Sequence, residues 1–283
     1  MECSSLEEPA ADESDPDVTE LSSSSPAPTT QIEDAPSSRP STTLVVRQAC
    51  RRVLRKGKYM VGDDPIFLPL LLRATPEGTS RAITPDTRLV VEGFPRSGNT
   101  FAVFAFRNAQ AQQVEVVGHV HHPSQVKLAV RKGLPTLLVI RRPLPCLASY
   151  LVTAPHGRPA GVLKEYVRYH RELLPYLDSV VVGEFEQVTH SFSDVITEIN
   201  DRFGTTFAPF DQSQENVDRV FEDIEAHHAQ MHAGKEVERI VPRPSSERAN
   251  ENRMHLSALQ SPQYADLLQQ AEQIYERCIN RSP

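Results

Sequence analysis

Between Arg88 and Phe203 the chain alternates short apolar runs with longer segments of helical periodicity, and this alternation restricts the fold more than any other feature. Arg88–Glu92, Val114–Gly118, Thr136–Ile140 and Val180–Gly183 read as strands. The third is a continuous apolar run, as expected in a sheet covered on both faces. Asn99–Gln112, Ser124–Lys132, Pro145–Val152, Gly161–Leu177 and Ser193–Phe203 read as helices, with Ser124 as a cap and Gly133 and Gly204 as stops. Two long helices, Glu215–Ala233 and Ala258–Asn280, are expected to follow. Strands separated by helices pair in parallel, so the expected class is α/β, a parallel β-sheet flanked by helices. Ligands of such sheets bind beyond the carboxyl ends of the strands. Three junctions therefore matter: after Glu92, after Gly118 and after Ile140.

The first junction reads Gly93-Phe94-Pro95-Arg96-Ser97-Gly98-Asn99-Thr100-Phe101. Two glycines five residues apart, after a strand and before a helix, have the spacing of a phosphate loop, where backbone N–H groups and the helix dipole receive an anion. Nucleotide triphosphatases add a lysine at the position of Asn99 and an acid at a neighbouring strand end to assist Mg²⁺. Here the third strand ends in Arg141-Arg142. The loop is suited to an anion but lacks the triphosphate equipment, and its cation is Arg96 instead.

Pro-Arg-Ser-Gly-Asn-Thr-Phe resembles the 5′-phosphosulfate loop of sulfotransferases that use 3′-phosphoadenosine 5′-phosphosulfate (PAPS), with Asn99 where a threonine is usual. Arg141-Arg142-Pro143-Leu144-Pro145-Cys146-Leu147-Ala148-Ser149 resembles the 3′-phosphate motif of that family, an arginine followed eight residues later by a serine. The resemblance spans residues 85–205 and is closer to bacterial-type members. It implies a P-loop-type sulfotransferase fold, PAPS as co-substrate, no metal, and in-line transfer of a sulfuryl group to a hydroxyl acceptor. Backbone N–H groups of Ser97, Gly98, Asn99 and Thr100 and the Thr100 hydroxyl would hold the 5′-phosphate, with Arg96 beside it stabilising charge on the leaving group. Arg141 and Ser149 would hold the 3′-phosphate, joined by a late arginine, Arg243 or else Arg248. Phe101 either stacks on adenine, as in relatives, or is a core side chain. Glu184 and Glu186 stand at a strand end that is structural in this reading.

The second junction, Gly118-His119-Val120-His121-His122-Pro123, supplies the base. Removing a hydroxyl proton suits histidine, whose pKa is near neutrality. The family's His-x-Pro spacing selects His121, whereas counting back from Arg141 slightly favours His119; His121 is taken as the base, with His119 the alternative. No nearby Cys or carboxylate completes a metal set around them. Cys146 has no base beside it in the sequence, and Tyr166, Tyr169 and His170 read as core before they read as acceptor contacts.

Residues 1–42 hold ten acids, one base, ten serines, six prolines and no aromatic residue, so they read as a disordered tail. The formal charge of −7 belongs to this tail; residues 43–283, read as the folded domain, carry 29 bases and 27 acids. A near-neutral body gives no reason to expect nucleic acid as a partner. Leu44–Lys56 reads as a basic amphipathic helix, taken as a solvated face packed on the domain in preference to a membrane-surface helix. No apolar run is long enough to span a bilayer, the N-terminus does not read as a secretory signal, and four scattered cysteines suggest no disulfide framework. A cytoplasmic enzyme acting on a small-molecule, lipid or glycan hydroxyl is expected. Two rivals stand beside it: a P-loop kinase or NTPase, and a non-catalytic nucleotide-binding scaffold.

Overall fold

The computed structural model describes residues 68–73, 76–154, 157–232 and 246–280. The acidic tail, the helix expected over Leu44–Lys56 and Arg243 lie outside the described residues. Four strands, β1 (Leu89–Gly93), β2 (Val116–Gly118), β3 (Thr136–Ile140) and β4 (Val181–Glu184), form one parallel sheet in the order β2-β1-β3-β4. Helices α1 (Leu68–Arg73) and α2 (Pro76–Thr79) precede the sheet. Helix α3 (Asn99–Ala109) connects β1 to β2, and α4 (Pro123–Arg131) connects β2 to β3. Helices α5 (Pro143–Thr153) and α6 (Pro159–Leu173) lead to β4, which α7 (Phe185–His190) and α8 (Phe192–Phe203) follow. Three more complete the set: α9 (Gln214–His232), α10 (Ser246–Leu259) and α11 (Ala265–Asn280). The α/β class read from the sequence is observed.

The central strands β1 and β3 are buried at every position. Successive side chains of a strand point to opposite faces, and β3 divides accordingly. Leu138 and Ile140 join a layer with Leu147 of α5, Leu163 of α6 and Tyr275 of α11. Leu137 and Val139 join the opposite layer with Phe106 of α3, Ile196 of α8 and Ile224 of α9. Each such large apolar side chain contributes about 1.5–3 kcal/mol when fully buried, which is why a five-residue strand can anchor helices on both sides.

The boundaries differ from the expected ones where proline chemistry decides them. Helices α4, α5 and α6 each begin at a proline, whose missing N–H is no loss at a helix start. So α5 starts at Pro143 rather than Pro145, and the cap of α4 is His122, whose side chain accepts from the Ser124 N–H at 3.3 Å. The segment expected as one helix to Leu177 leaves the α-helix at Leu173 and continues as a 3₁₀ turn, Leu174–Ser179, containing Pro175. The helix expected over Ala258–Asn280 is likewise two helices, α10 and α11, separated by the Pro262–Tyr264 3₁₀ turn.

Gly93 ends β1 in register with Val139 of β3. A Cβ there would lie 2.2 Å from the Val139 carbonyl oxygen, a contact only glycine avoids. Gly93→Ala is therefore expected to destabilise the protein by about 3 kcal/mol, the upper end of overpacking costs, or roughly 6–12 °C in thermal unfolding for a domain of this size. A melting temperature equal to the parent's would contradict the close approach of β1 and β3.

Candidate active site

From β1 the chain passes to β2 on one side of the sheet, and from β3 to β4 on the other, while β1 and β3 are themselves neighbours. The strand order thus reverses between β1 and β3, which opens a crevice beyond their carboxyl ends. The loops after these two strands carry the first and third sequence motifs, and here they meet.

The β1–α3 loop turns tightly: the Ser97 N–H donates to the Phe94 carbonyl at 3.2 Å, and Arg96 (φ 71°) and Gly98 (φ 102°) take left-handed conformations. Gly98 is the N-cap of α3 and no side chain caps that terminus. The first N–H groups of a helix have no intrahelical acceptor, so this end is suited to an anion. Phe94 anchors the loop from below, edge-on to Tyr150, Tyr166 and Tyr169 at 5.3–5.7 Å between ring centres.

Direct bonds join the two motifs. Arg96 Nε donates to Ser149 Oγ at 3.0 Å, and Arg141 Nη1 donates to the Arg96 carbonyl at 3.1 Å. The Arg141 guanidinium lies 3.9 Å from the centre of the Phe185 ring, and its Nε is buried without a hydrogen-bond partner among the described residues. Tyr166 Oη donates to the Arg141 carbonyl at 2.7 Å, fixing the exit of β3 from beneath. Phe185 also faces Gly98, where a Cβ would stand 3.0 Å from its Cδ2.

Other predicted residues are turned elsewhere. Ser97 is buried and its Oγ lies 3.7 Å from Cys146 Sγ, against α5. Asn99 is buried as well, with Nδ2 donating to the Gly93 and Phe94 carbonyls at 3.2 and 3.4 Å. Both side chains brace the loop from within instead of facing an anion. The alternative in which Phe101 stacks on adenine is corrected: the ring is 6% exposed and packs against Phe210 and Phe221 in the core. Thr100 is half-buried in the first turn of α3. Arg248 begins α10. Cys146 donates to the Pro95 carbonyl at 3.3 Å, and burial pushes its thiol up to about 11, which suits a packed and unreactive side chain.

The segment after β2 stands beside this loop. His121 Nδ1 is 2.9 Å from the Gly93 carbonyl. A carbonyl only accepts, so Nδ1 carries the proton and Nε2 is left as the basic nitrogen. The 3.5 Å approach of Asn99 Nδ2 to the same nitrogen is then a contact between two donors, not a bond. Protein packed densely around the half-buried His119, then the charges of His121 and Arg81, draw its imidazole down to about 3. So weak a base is poorly matched to proton removal near neutrality, and His121 is the better placed of the two.

Sequence reading missed Glu92 and Phe185 as site residues and weighed Tyr166 as core or an acceptor contact, not as the partner of the Arg141 carbonyl. Glu92 ends β1 fully buried, with Oε1 accepting the Val120 N–H at 2.8 Å and Oε2 the His121 N–H at 3.0 Å. Its signal was available: an acid closing an otherwise apolar strand. Phe185 carried none, because a single aromatic between Glu184 and Glu186 does not announce that a distant cation lies against it. Glu184 has the structural role expected of it, forming a reciprocal cap with Gln187 at the start of α7 and accepting from Tyr275 Oη. Among the described residues no group of three or more His, Cys, Asp or Glu side chains is placed to hold a metal ion, and no helix is long and apolar enough to cross a membrane.

These buried groups set a pH profile for stability. Burial raises Glu92 from 4.5 to about 8, so the folded state keeps a proton that the unfolded chain releases, and stability falls as pH rises across that window. Burial lowers His119 to about 3 and His170 to about 4 from 6.5, so stability is lost as pH falls below 6.5. Two histidines outweigh one carboxylate on the acid side, and above pH 6.5 Glu92 turns the slope downward, joined above pH 9 by the raised thiols Cys146 and Cys278. The melting temperature is expected to peak around pH 6.5. A steady climb from pH 6.5 to 9 in a calorimetric series would contradict this assignment.

Compared with models of known protein families, with curated proteins and with solved structures, the chain matches none.

Proposed function

We propose that the protein is a PAPS-dependent sulfotransferase that moves a sulfuryl group to the hydroxyl of a small-molecule, lipid or glycan acceptor in the cytoplasm. The observation that carries this reading is the junction of two cationic loops at the switch point, Arg96 Nε bonded to Ser149 Oγ at 3.0 Å and Arg141 bonded to the Arg96 carbonyl at 3.1 Å. Two phosphate groups on one nucleotide need two such sites close together.

The residues present fit that ligand in part. The uncapped start of α3 at Gly98 and the Thr100 hydroxyl suit a 5′-phosphate. The buried, unpartnered Nε of Arg141 is a donor awaiting an acceptor, and with Ser149 it suits a 3′-phosphate. Stacking on Phe185 holds the Arg141 plane and reduces the entropy lost on binding. Ser97, Asn99 and Phe101 serve the loop and the core, so their contribution comes through the backbone. An anion in the loop competes with Ser149 for Arg96, and the bond between those side chains opens or is shared as it arrives.

When bound, PAPS supplies an activated sulfuryl group whose bond to the 5′-phosphate oxygen breaks as the acceptor oxygen bonds to sulfur. His121 Nε2 takes the hydroxyl proton, its ring held by the Nδ1–H bond to the Gly93 carbonyl. Arg96 stabilises the charge that collects on the departing phosphate.

Thermal unfolding with 3′,5′-phosphoadenosine, AMP and Mg²⁺-ATP tests the reading. Ligand at 100 times its dissociation constant adds about 2.7 kcal/mol, roughly 5–11 °C here. A shift with the bisphosphate and not with the others is expected; a shift with Mg²⁺-ATP alone would replace the reading with a kinase. Arg141→Ala is expected to weaken the bisphosphate by about 10–100-fold, the worth of a charged hydrogen bond, with little effect on AMP. Equal losses for both ligands would remove Arg141 from the 3′-phosphate site. His121→Ala is expected to lower turnover by about 10²–10⁴-fold with nucleotide affinity retained, and undiminished turnover would refute its role as base.

A further inference from the structure

Glu92 is fully buried at the end of a strand whose other side chains are apolar, and packing alone does not call for a carboxyl group there. Its two oxygens are divided between consecutive N–H groups, Oε1 with Val120 at 2.8 Å and Oε2 with His121 at 3.0 Å. Those N–H groups belong to a segment in which His119 (φ 61°) and His121 (φ 53°) are both left-handed. Residues with a Cβ adopt that conformation at a cost, so it persists only where neighbours impose it. Arg81 restrains the same segment from its other side, Nη1 donating to the His119 carbonyl at 3.2 Å. The ring so placed bonds the carbonyl of Gly93, the residue next to Glu92 in the chain. One side chain therefore ties the end of β1, the phosphate loop and the histidine segment together.

We infer that Glu92 is a positioning residue for His121: by accepting two consecutive N–H groups it maintains the backbone that sets the imidazole Nδ1–H on the Gly93 carbonyl and leaves Nε2 as the nitrogen that receives a proton. Asparagine or glutamine offers one acceptor oxygen and cannot satisfy both N–H groups. The functional meaning of this placement rests on His121 being the base, but the placement itself is measurable without turnover.

The experiment is ¹H–¹⁵N correlation of histidine side chains across pH in the full-length protein, with His121→Ala identifying the signal, and Glu92→Gln compared with the parent. The parent is expected to show His121 in the Nδ1–H form. Glu92→Gln is expected to show a detectable Nε2–H form and a displaced His121 pKa, while 3′,5′-phosphoadenosine affinity stays within about threefold because no phosphate contact is lost. A His121 tautomer and pKa identical in parent and Glu92→Gln would overturn the inference. Where Glu92→Gln fails to fold, Glu92→Asp keeps a carboxyl group one methylene short of both N–H groups, and an unchanged His121 signal in that variant overturns it equally. A parent that does not bind the bisphosphate would sink the sulfotransferase reading, and the tautomer comparison still decides the role of Glu92.

Discussion

The backbones of β1 and β3 come so close at Gly93 that a methyl group would collide with the Val139 carbonyl, and the geometry of the candidate site follows from that approach. Because the two strands are neighbours whose outgoing connections diverge, the loops after them emerge side by side. Arg96 then reaches Ser149, and Arg141 reaches the Arg96 carbonyl, across a gap that side chains of ordinary length can span. A wider separation at Gly93 would leave two unrelated basic loops.

Around this crevice the protein spends buried polar groups on its own backbone. Asn99 holds the Gly93 and Phe94 carbonyls, Tyr166 holds the Arg141 carbonyl, and Glu92 holds two N–H groups of the histidine segment. Each such group removed from water must be bonded or it destabilises the fold. Their concentration at the carboxyl ends of the strands braces two adjacent loops, one holding the left-handed Arg96 and the other the left-handed His119 and His121. Rigidity of this kind is what an anion site needs, since it lowers the entropy lost when the ligand arrives.

Much of the fold was legible because it depends on local rules. The all-buried run Thr136–Ile140 announced a central parallel strand, and the strand–glycine loop–helix pattern at Gly93–Phe101 announced a tight turn from strand to helix. Where prediction slipped, proline was responsible: Pro143 starts a helix that periodicity places later, and Pro175 and Pro262 mark interruptions that an apolar stripe conceals. The site was legible as a set of loops but less so residue by residue. Ser97 and Asn99 were read for their backbone N–H groups, and the inward direction of their side chains was not legible, because it is fixed by neighbours such as Cys146 that are distant in sequence or by the folded loop itself.

By itself the sequence determined the class of fold, the loops that leave the strand ends, and the cations those loops carry, because hydrophobic periodicity and glycine spacing act over a few residues. The tertiary structure alone decided which strands are neighbours, that Arg96 meets Ser149 and that Phe185 lies under Arg141. It also decided that Phe101 belongs to the core and that the His121 ring lies on the Gly93 carbonyl. Those outcomes depend on contacts between residues tens of positions apart and on the desolvation they create, and no local pattern encodes either.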